Sequence, residues 1–204
     1  REERARLAGE LEAAQQVQAA MLPRADSLAA ETRVELHALL EPAREVGGDL
    51  YDFFLIDNRR LCFLIGDVSG KGVPASLFMA VTKALARSFA TRLAGGPAEI
   101  VSAANRDLSR ENVETLFVTL LLGVLDVESG RLELVNAGHD GPWRLGADGG
   151  LQQLVGSATD GGPPLCMVED FDYGVQHLQL QLGDRLCMVT DGITEVANAA
   201  QELY

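Results

Sequence analysis

Two helical stretches stand back to back inside a chain that otherwise reads as strands, and this arrangement limits the folds open to it. The first starts at Pro74, a favoured first-turn residue, and runs to about Leu93 with Leu77, Phe78, Val81, Leu85 and Phe89 along one side. The second follows Gly95, Gly96 and Pro97 and runs to about Arg110, with Ile100, Val101, Ala104 and Leu108 inward. Strand patterns surround them at Val34–Leu40, Asp49–Ile56, Leu61–Gly66, Leu116–Asp126, Arg131–Asn136, Trp143–Leu145, Gly174–Gln181 and Arg185–Thr190. Turn-forming pairs such as Asp57–Asn58, Ser129–Gly130 and Gly183–Asp184 join them. Strands in hairpins with a consecutive helix pair make an α+β layout, distinct from the alternating βαβ units of a parallel sheet. That many strands around one helix pair predict two sheets packed face to face with helices outside.

The first 23 residues stand apart. Leu7, Leu11, Ala14, Val17 and Met21 recur at three- and four-residue steps until Pro23 ends the helix. One narrow apolar stripe either packs on its own domain or pairs with a second helix as a coiled-coil homodimer, and both readings stay open. Residues 1–23 are therefore read as a helical linker and residues 24–204 as one domain.

With 47% hydrophobic residues and a mean hydropathy of +0.07, the chain carries enough apolar material for a substantial core. Its net charge of −13 argues against a nucleic-acid-binding module and against an anionic membrane surface, both of which need clustered Lys and Arg. No apolar run reaches the ~18–20 residues of a membrane span, and the charged N-terminus is no signal peptide, so a cytoplasmic location is expected. Cys62, Cys166 and Cys187 lie in apolar runs without a CxxC pair, which predicts buried free thiols in a reducing compartment.

Chemistry is concentrated where Asp stands beside Gly at strand ends. Asp67 follows the apolar run Leu61–Gly66, and Asp191 follows Arg185–Val189 and precedes Gly192. Asp49 opens a strand after Gly47 and Gly48, and Asp52 must point to the opposite face of that strand. The run Gly66–Gly72 fails as a phosphate loop: Lys71 stands where the second Gly belongs, and Gly72 follows it instead of Ser or Thr. Ser69 and Ser76 lack a base partner, His37 and His177 read as ordinary strand residues, and His139 reads as a turn-stabilising residue. Three carboxylates without a His or Cys framework offer hard oxygens, which suit Mg²⁺ or Mn²⁺ acting on phosphate. Two such ions can bridge and deprotonate a water for in-line attack.

The segments EPAREVGGDLYDFF, FLIGDVSGKGVPASLFMA, TLFVTLLLGVLD, LVNAGHDGPWRL and MVTDGITEVAN, in this order, resemble the SpoIIE-type, RsbU-like branch of the metal-dependent PPM serine/threonine protein phosphatases. The resemblance runs from about Leu39 to Tyr204. It implies an antiparallel β-sandwich flanked by helix pairs, with a site for two Mn²⁺ or Mg²⁺ ions at one end. Asp67 would bridge the ions, the Val68 carbonyl would be a neighbouring ligand, Asp191 would bind the second ion, and Asp49 would bind metal or orient its waters. Arg44 would contact the substrate phosphate. The helix that begins at Gly72, Pro74 and Leu77 resembles the element whose position controls activation. Substrates in this branch are phosphoproteins of the anti-sigma-factor antagonist type, in bacterial stress signalling, and the leading helix resembles the connection to an upstream sensor or receiver domain. The resemblance also implies a later helix and strand carrying another metal-binding Asp, which the sequence does not reach by Tyr204: either the polypeptide is cut short there or the second metal is weakly held. The implied function is hydrolysis of phosphoserine or phosphothreonine. The alternatives are a weakly catalytic regulatory module of the same fold and a hydrolase of a small phosphorylated molecule.

Overall fold

Alternating apolar residues on successive strands give one sheet two working faces. A computed structural model describes residues 2–41, 46–93, 95–112, 115–154 and 161–194. Strands β1 (Leu50–Leu55), β2 (Arg60–Val68), β3 (Val118–Asp126) and β4 (Arg131–Ala137) pair antiparallel in that order. A second, three-stranded sheet consists of β5 (Trp143–Leu145) between β6 (Leu151–Gln153) and β9 (Arg185–Cys187). On the far side of β4 in the first sheet lie β7 (Gly161–Gly162), parallel, and β8 (Gln176–Gln179), antiparallel.

Even-numbered residues of the first three strands, among them Leu50, Phe54, Cys62, Leu64, Leu120 and Leu122, form one core. Helices α2 (Val73–Arg92) and α3 (Pro97–Arg110) cover it through Met79, Ala86, Ile100 and Leu108. Phe53, Phe63 and Leu121 point the other way and, with Leu132 and Leu134 of β4, pack against Leu186 of β9 and Met188 just past its end. The two sheets thus face each other with the helix pair outside. Each fully buried Leu in these cores is worth roughly 1.5–3 kcal/mol. Both helices begin as the sequence dictates: a Pro stands in each first turn, and α2 follows Gly72 at φ 76°, a left-handed conformation that glycine adopts without strain.

Two expectations need correction, and two short strands went unforeseen. The segment Val34–Leu40 enters no ladder; Leu36 lies against the second core while Leu39 is exposed, so its alternation marks a half-buried extended path, not strand pairing. Strands β6 and β7 escaped prediction because one is exposed and mostly Gln and the other is two glycines. Of the cysteines only Cys62 is buried, its thiol pushed up to about 12 chiefly by that burial, whereas Cys166 is half-buried and Cys187 exposed.

Helix α1 (Glu2–Met21) turns a different stripe inward from the one its apolar residues mark. Leu11, Ala14 and Gln15 are half-buried and Gln18 is buried, while Val17 and Met21 are exposed; the Leu7 side chain lies outside the described ones. No helix among the described residues is long and apolar enough to cross a membrane.

Candidate metal centre

The strand register aligns the acidic residues before any side chain is considered. Leu50 pairs with Gly66, so one further step in the same register sets Asp49 opposite Asp67, and Asp67 pairs with Thr119. Residues 49, 67 and 119 thus form a row across three strands, on the face that meets the second sheet. Asp191 arrives from that second sheet, where β9 ends at Cys187 and a short helix, α4 (Asp191–Thr194), begins. Carboxylate oxygens of Asp49, Asp67 and Asp191 all lie within 4.8 Å of one another; Asp49 and Asp67 are half-buried and Asp191 is exposed. Three segments far apart in sequence converge at one end of the sandwich.

Gly48 lets the first two strands close together there. A Cβ on it would stand 2.7 Å from the Val68 carbonyl oxygen and 3.1 Å from Asp67 Oδ1, so any side chain would push the Asp49 turn outward. The Val68 amide donates to the Gly48 carbonyl at 3.3 Å and holds the approach.

Burial, followed by the charge and hydrogen bonding of Asp49 and the charge of Asp191, pushes the Asp67 carboxyl up to about 7. Gathered carboxylates that resist ionisation together are what a divalent cation relieves, and an all-oxygen donor set suits Mg²⁺ or Mn²⁺. The residues present therefore fit a metal centre.

Surrounding groups hold the cluster in place. Thr190 Oγ1 donates to Asp49 Oδ2 at 3.2 Å, which links the Asp191 turn to β1. The His139 ring lies with Nε2 3.1 Å from the Val189 carbonyl and Nδ1 2.9 Å from Thr119 Oγ1. A carbonyl only accepts, so Nε2 carries the hydrogen and Nδ1 accepts from the Thr119 hydroxyl. Burial lowers the ring's pKa and favours this neutral form. The Asn136 side chain fixes the turn, accepting from the His139 amide at 2.8 Å and donating to its carbonyl at 2.7 Å. His139 is a turn residue as its sequence context indicates, but its ring also ties the Asp67 row to the Asp191 segment. Sequence reasoning missed that reach, because Thr119 and Val189 are remote in the chain.

The other candidates are distributed differently. Asp52 points to the opposite face and meets Lys83 Nζ at 3.2 Å and Arg87 at 2.9 Å. Gly72, Pro74 and Leu77 stand at the start of α2, where Leu77 is exposed and joins Val73, Pro74, Phe78, Val81 and Leu116 around an open groove. Ser69 Oγ accepts from the Phe117 amide at 2.8 Å and Ser76 Oγ donates to the Val73 carbonyl at 2.9 Å, so both hydroxyls serve local structure. His37 and His177 are exposed. Arg44 lies outside the described residues.

Residues 57–204 match the family model for stage II sporulation protein E, SpoIIE. Protein IcfG of Synechocystis sp. is 30% identical over 96% of this chain and 34% of its own length. The phosphoserine phosphatase RsbU of Bacillus subtilis is 27% identical over 91% of this chain and 53% of its own length. The chain thus spans between a third and about half of these curated relatives. Among solved structures, the SiaA-PP2C domain of Pseudomonas aeruginosa superposes with a TM-score of 0.78 at 21% identity, over 96% of this chain and 76% of that one.

Proposed function

The chain belongs to the SpoIIE family, and from that premise we propose that it is a divalent-metal-dependent phosphatase of bacterial signalling that hydrolyses phosphoserine or phosphothreonine in a protein substrate of the anti-sigma-factor antagonist type. The observation that carries this reading is the convergence of Asp49, Asp67 and Asp191, whose carboxylate oxygens lie within 4.8 Å of one another. These residues, with the Val68 carbonyl beside them, would hold two Mn²⁺ or Mg²⁺ ions. When bound, such ions lower the pKa of a coordinated water and offset charge on phosphoryl oxygens.

The chain's own groups shape the site for that work. Thr190 holds one oxygen of Asp49 in place at the edge of the cluster. His139 fixes the spacing between the Asp67 row and the Asp191 segment. The exposure of Asp191 leaves the cluster open to solvent, as a phosphorylated side chain on a protein requires. Arg44 is assigned to the substrate phosphate, and the start of α2, at Gly72, Pro74 and Leu77, to regulation. Residues 1–23 serve as the connection to an upstream sensor or receiver domain, with the exposed Val17 and Met21 as a contact for a second copy.

Mn²⁺-dependent release of phosphate from a phosphoprotein, with Asp67→Asn and Asp191→Asn as controls, tests the reading. Both substitutions should lower the rate by roughly 10²–10³-fold. Full activity in both variants would sink the metal mechanism, and an inactive wild-type protein that still binds the phosphoprotein would favour a regulatory module.

A further inference from the structure

The ladder between β2 and β3 continues one step past its last paired residues. Val68 pairs with Val118. Beyond them the Ser69 amide donates to the Phe117 carbonyl at 2.8 Å, and the Phe117 amide donates to Ser69 Oγ at 2.8 Å. Leu116 and Val118 both pack in the core under the helix pair. Phe117 between them therefore leaves on the opposite face, the one that carries Asp67 and Thr119. It precedes Thr119 by two residues, about 7 Å along the strand. Farther down this face Phe53, Phe63 and Leu121 are enclosed in the second core. Phe117 belongs to neither core and is 38% exposed. Its backbone is thus pinned in register while its ring stands in solvent on the rim of the acidic cluster. Ser69 and Gly70 at this edge are small, and the exposed Lys71 after them forms no ion pair with any described residue. One edge of an otherwise acidic site is therefore apolar and positively charged.

A fixed, exposed aromatic side chain beside a reaction centre suits an interface anchor, because it offers a large apolar area with few rotamers to freeze. We infer that Phe117 determines substrate specificity: its ring receives an apolar side chain two positions from the phosphorylated residue of a protein substrate. The spacing follows from the strand repeat. Side chains two residues apart in an extended peptide leave on the same face, about 7 Å from each other, which is the offset between Phe117 and the Asp67–Thr119 row. The phosphate then reaches the cluster while its second neighbour covers the ring. Lys71 draws the anionic segment to this edge. A small phosphate ester has no group that reaches Phe117, so the contact selects for protein substrates. The inference rests on the phosphatase reading above and names what that site prefers.

Short phosphoserine peptides with Leu or Ser two places before, or two places after, the phosphoserine are the probes. Each is given to the full chain with Mn²⁺. Phosphate release yields kcat and KM, and fluorescence anisotropy of labelled peptides yields affinity. The wild-type protein should prefer Leu to Ser at one of the two places by roughly tenfold in KM, with kcat little changed. Phe117→Ala should abolish that preference, and Phe117→Leu should retain part of it. Should Phe117→Ala fail to fold, Phe117→Gln removes the ring at similar length and takes its place. A wild-type protein indifferent to Leu at both places overturns the inference, and so does a preference that survives loss of the ring. A fall in kcat that is equal for every peptide and for p-nitrophenyl phosphate also overturns it, because it marks a structural role. Should the wild-type protein release phosphate from no probe, the phosphatase reading fails by itself. The anisotropy preference, present in wild type and lost with the ring or not, then decides the role of Phe117.

Discussion

The two faces of β1 treat a buried carboxylate in opposite ways. Asp52, wholly enclosed under α2, meets Lys83 and Arg87 and accepts from the Phe53 amide, so the protein supplies its countercharge. Three residues earlier Asp49 faces Asp67 and Asp191, and the pKa of Asp67 rises because it is buried among neighbours that are themselves acidic. One face carries an ion pair that fastens a helix to a sheet; the other accumulates like charge that a cation from solution would relieve. A carboxylate's role thus follows from which side of the strand it leaves, and that side follows from its position in the two-residue repeat.

The contrast can be broken at four points. The largest effect is expected at Asp67, where Asn should lower phosphate release by roughly 10²–10³-fold without lowering the thermal midpoint of the metal-free protein. A fall in both would show that the cluster holds the fold together as the Asp52 pair does. At Asp52 the pattern should reverse. Asp52→Ala strands Lys83, at 12% side-chain exposure, and breaking such a buried pair costs about 3–5 kcal/mol. That loss should take the midpoint down by about 10 °C, and calorimetry below the transition should still find Mn²⁺ binding.

His139→Ala should weaken Mn²⁺ binding by about 10–100-fold, the usual cost of removing a group that orients ligands. Unchanged affinity would reduce the residue to its turn. The smallest effect is a pH slope. Because burial and its acidic neighbours push the Asp67 carboxyl up to about 7 from the ordinary 3.8, it retains a proton that the unfolded chain has lost between those pH values. Metal-free stability from this group is therefore highest below about pH 4, falls as pH rises toward 7, and levels off above. The difference in thermal midpoint between wild type and Asp67→Asn, scanned from pH 4 to 8, should follow that course, and a flat difference would remove Asp67's burial among like charges from the account.

Local signals made much of this legible in the sequence. The helix pair announced itself by Pro74 and Pro97, the strands by their alternation, and the cluster by Asp beside Gly at strand ends. What stayed hidden was carried by polar groups whose partners are distant. Gln18 occupies an inward position of α1 that an apolar count assigns to Val17, because burial there is won by hydrogen bonds to Gly47 and not by apolar surface. The same holds for His139 with Thr119 and Val189, and for Asn105, whose amide donates to the Val168 and Glu169 carbonyls while its oxygen accepts from the Cys166 amide. Patterns of hydrophobicity record which side of an element is dry; they do not record which remote backbone group a buried amide will meet.

The uneven exposure of the three thiols has a practical consequence for spectroscopy. Cys187 is exposed at the end of β9, four positions before Asp191, while Cys62 is buried with a thiol that hardly ionises below pH 12. A maleimide-linked fluorophore or spin label offered at neutral pH should therefore attach first at Cys187, with Cys166 the slower competitor. The protein carries its own reporter position four residues along the chain from Asp191, and paramagnetic quenching of such a label by Mn²⁺ would read occupancy without any engineered cysteine.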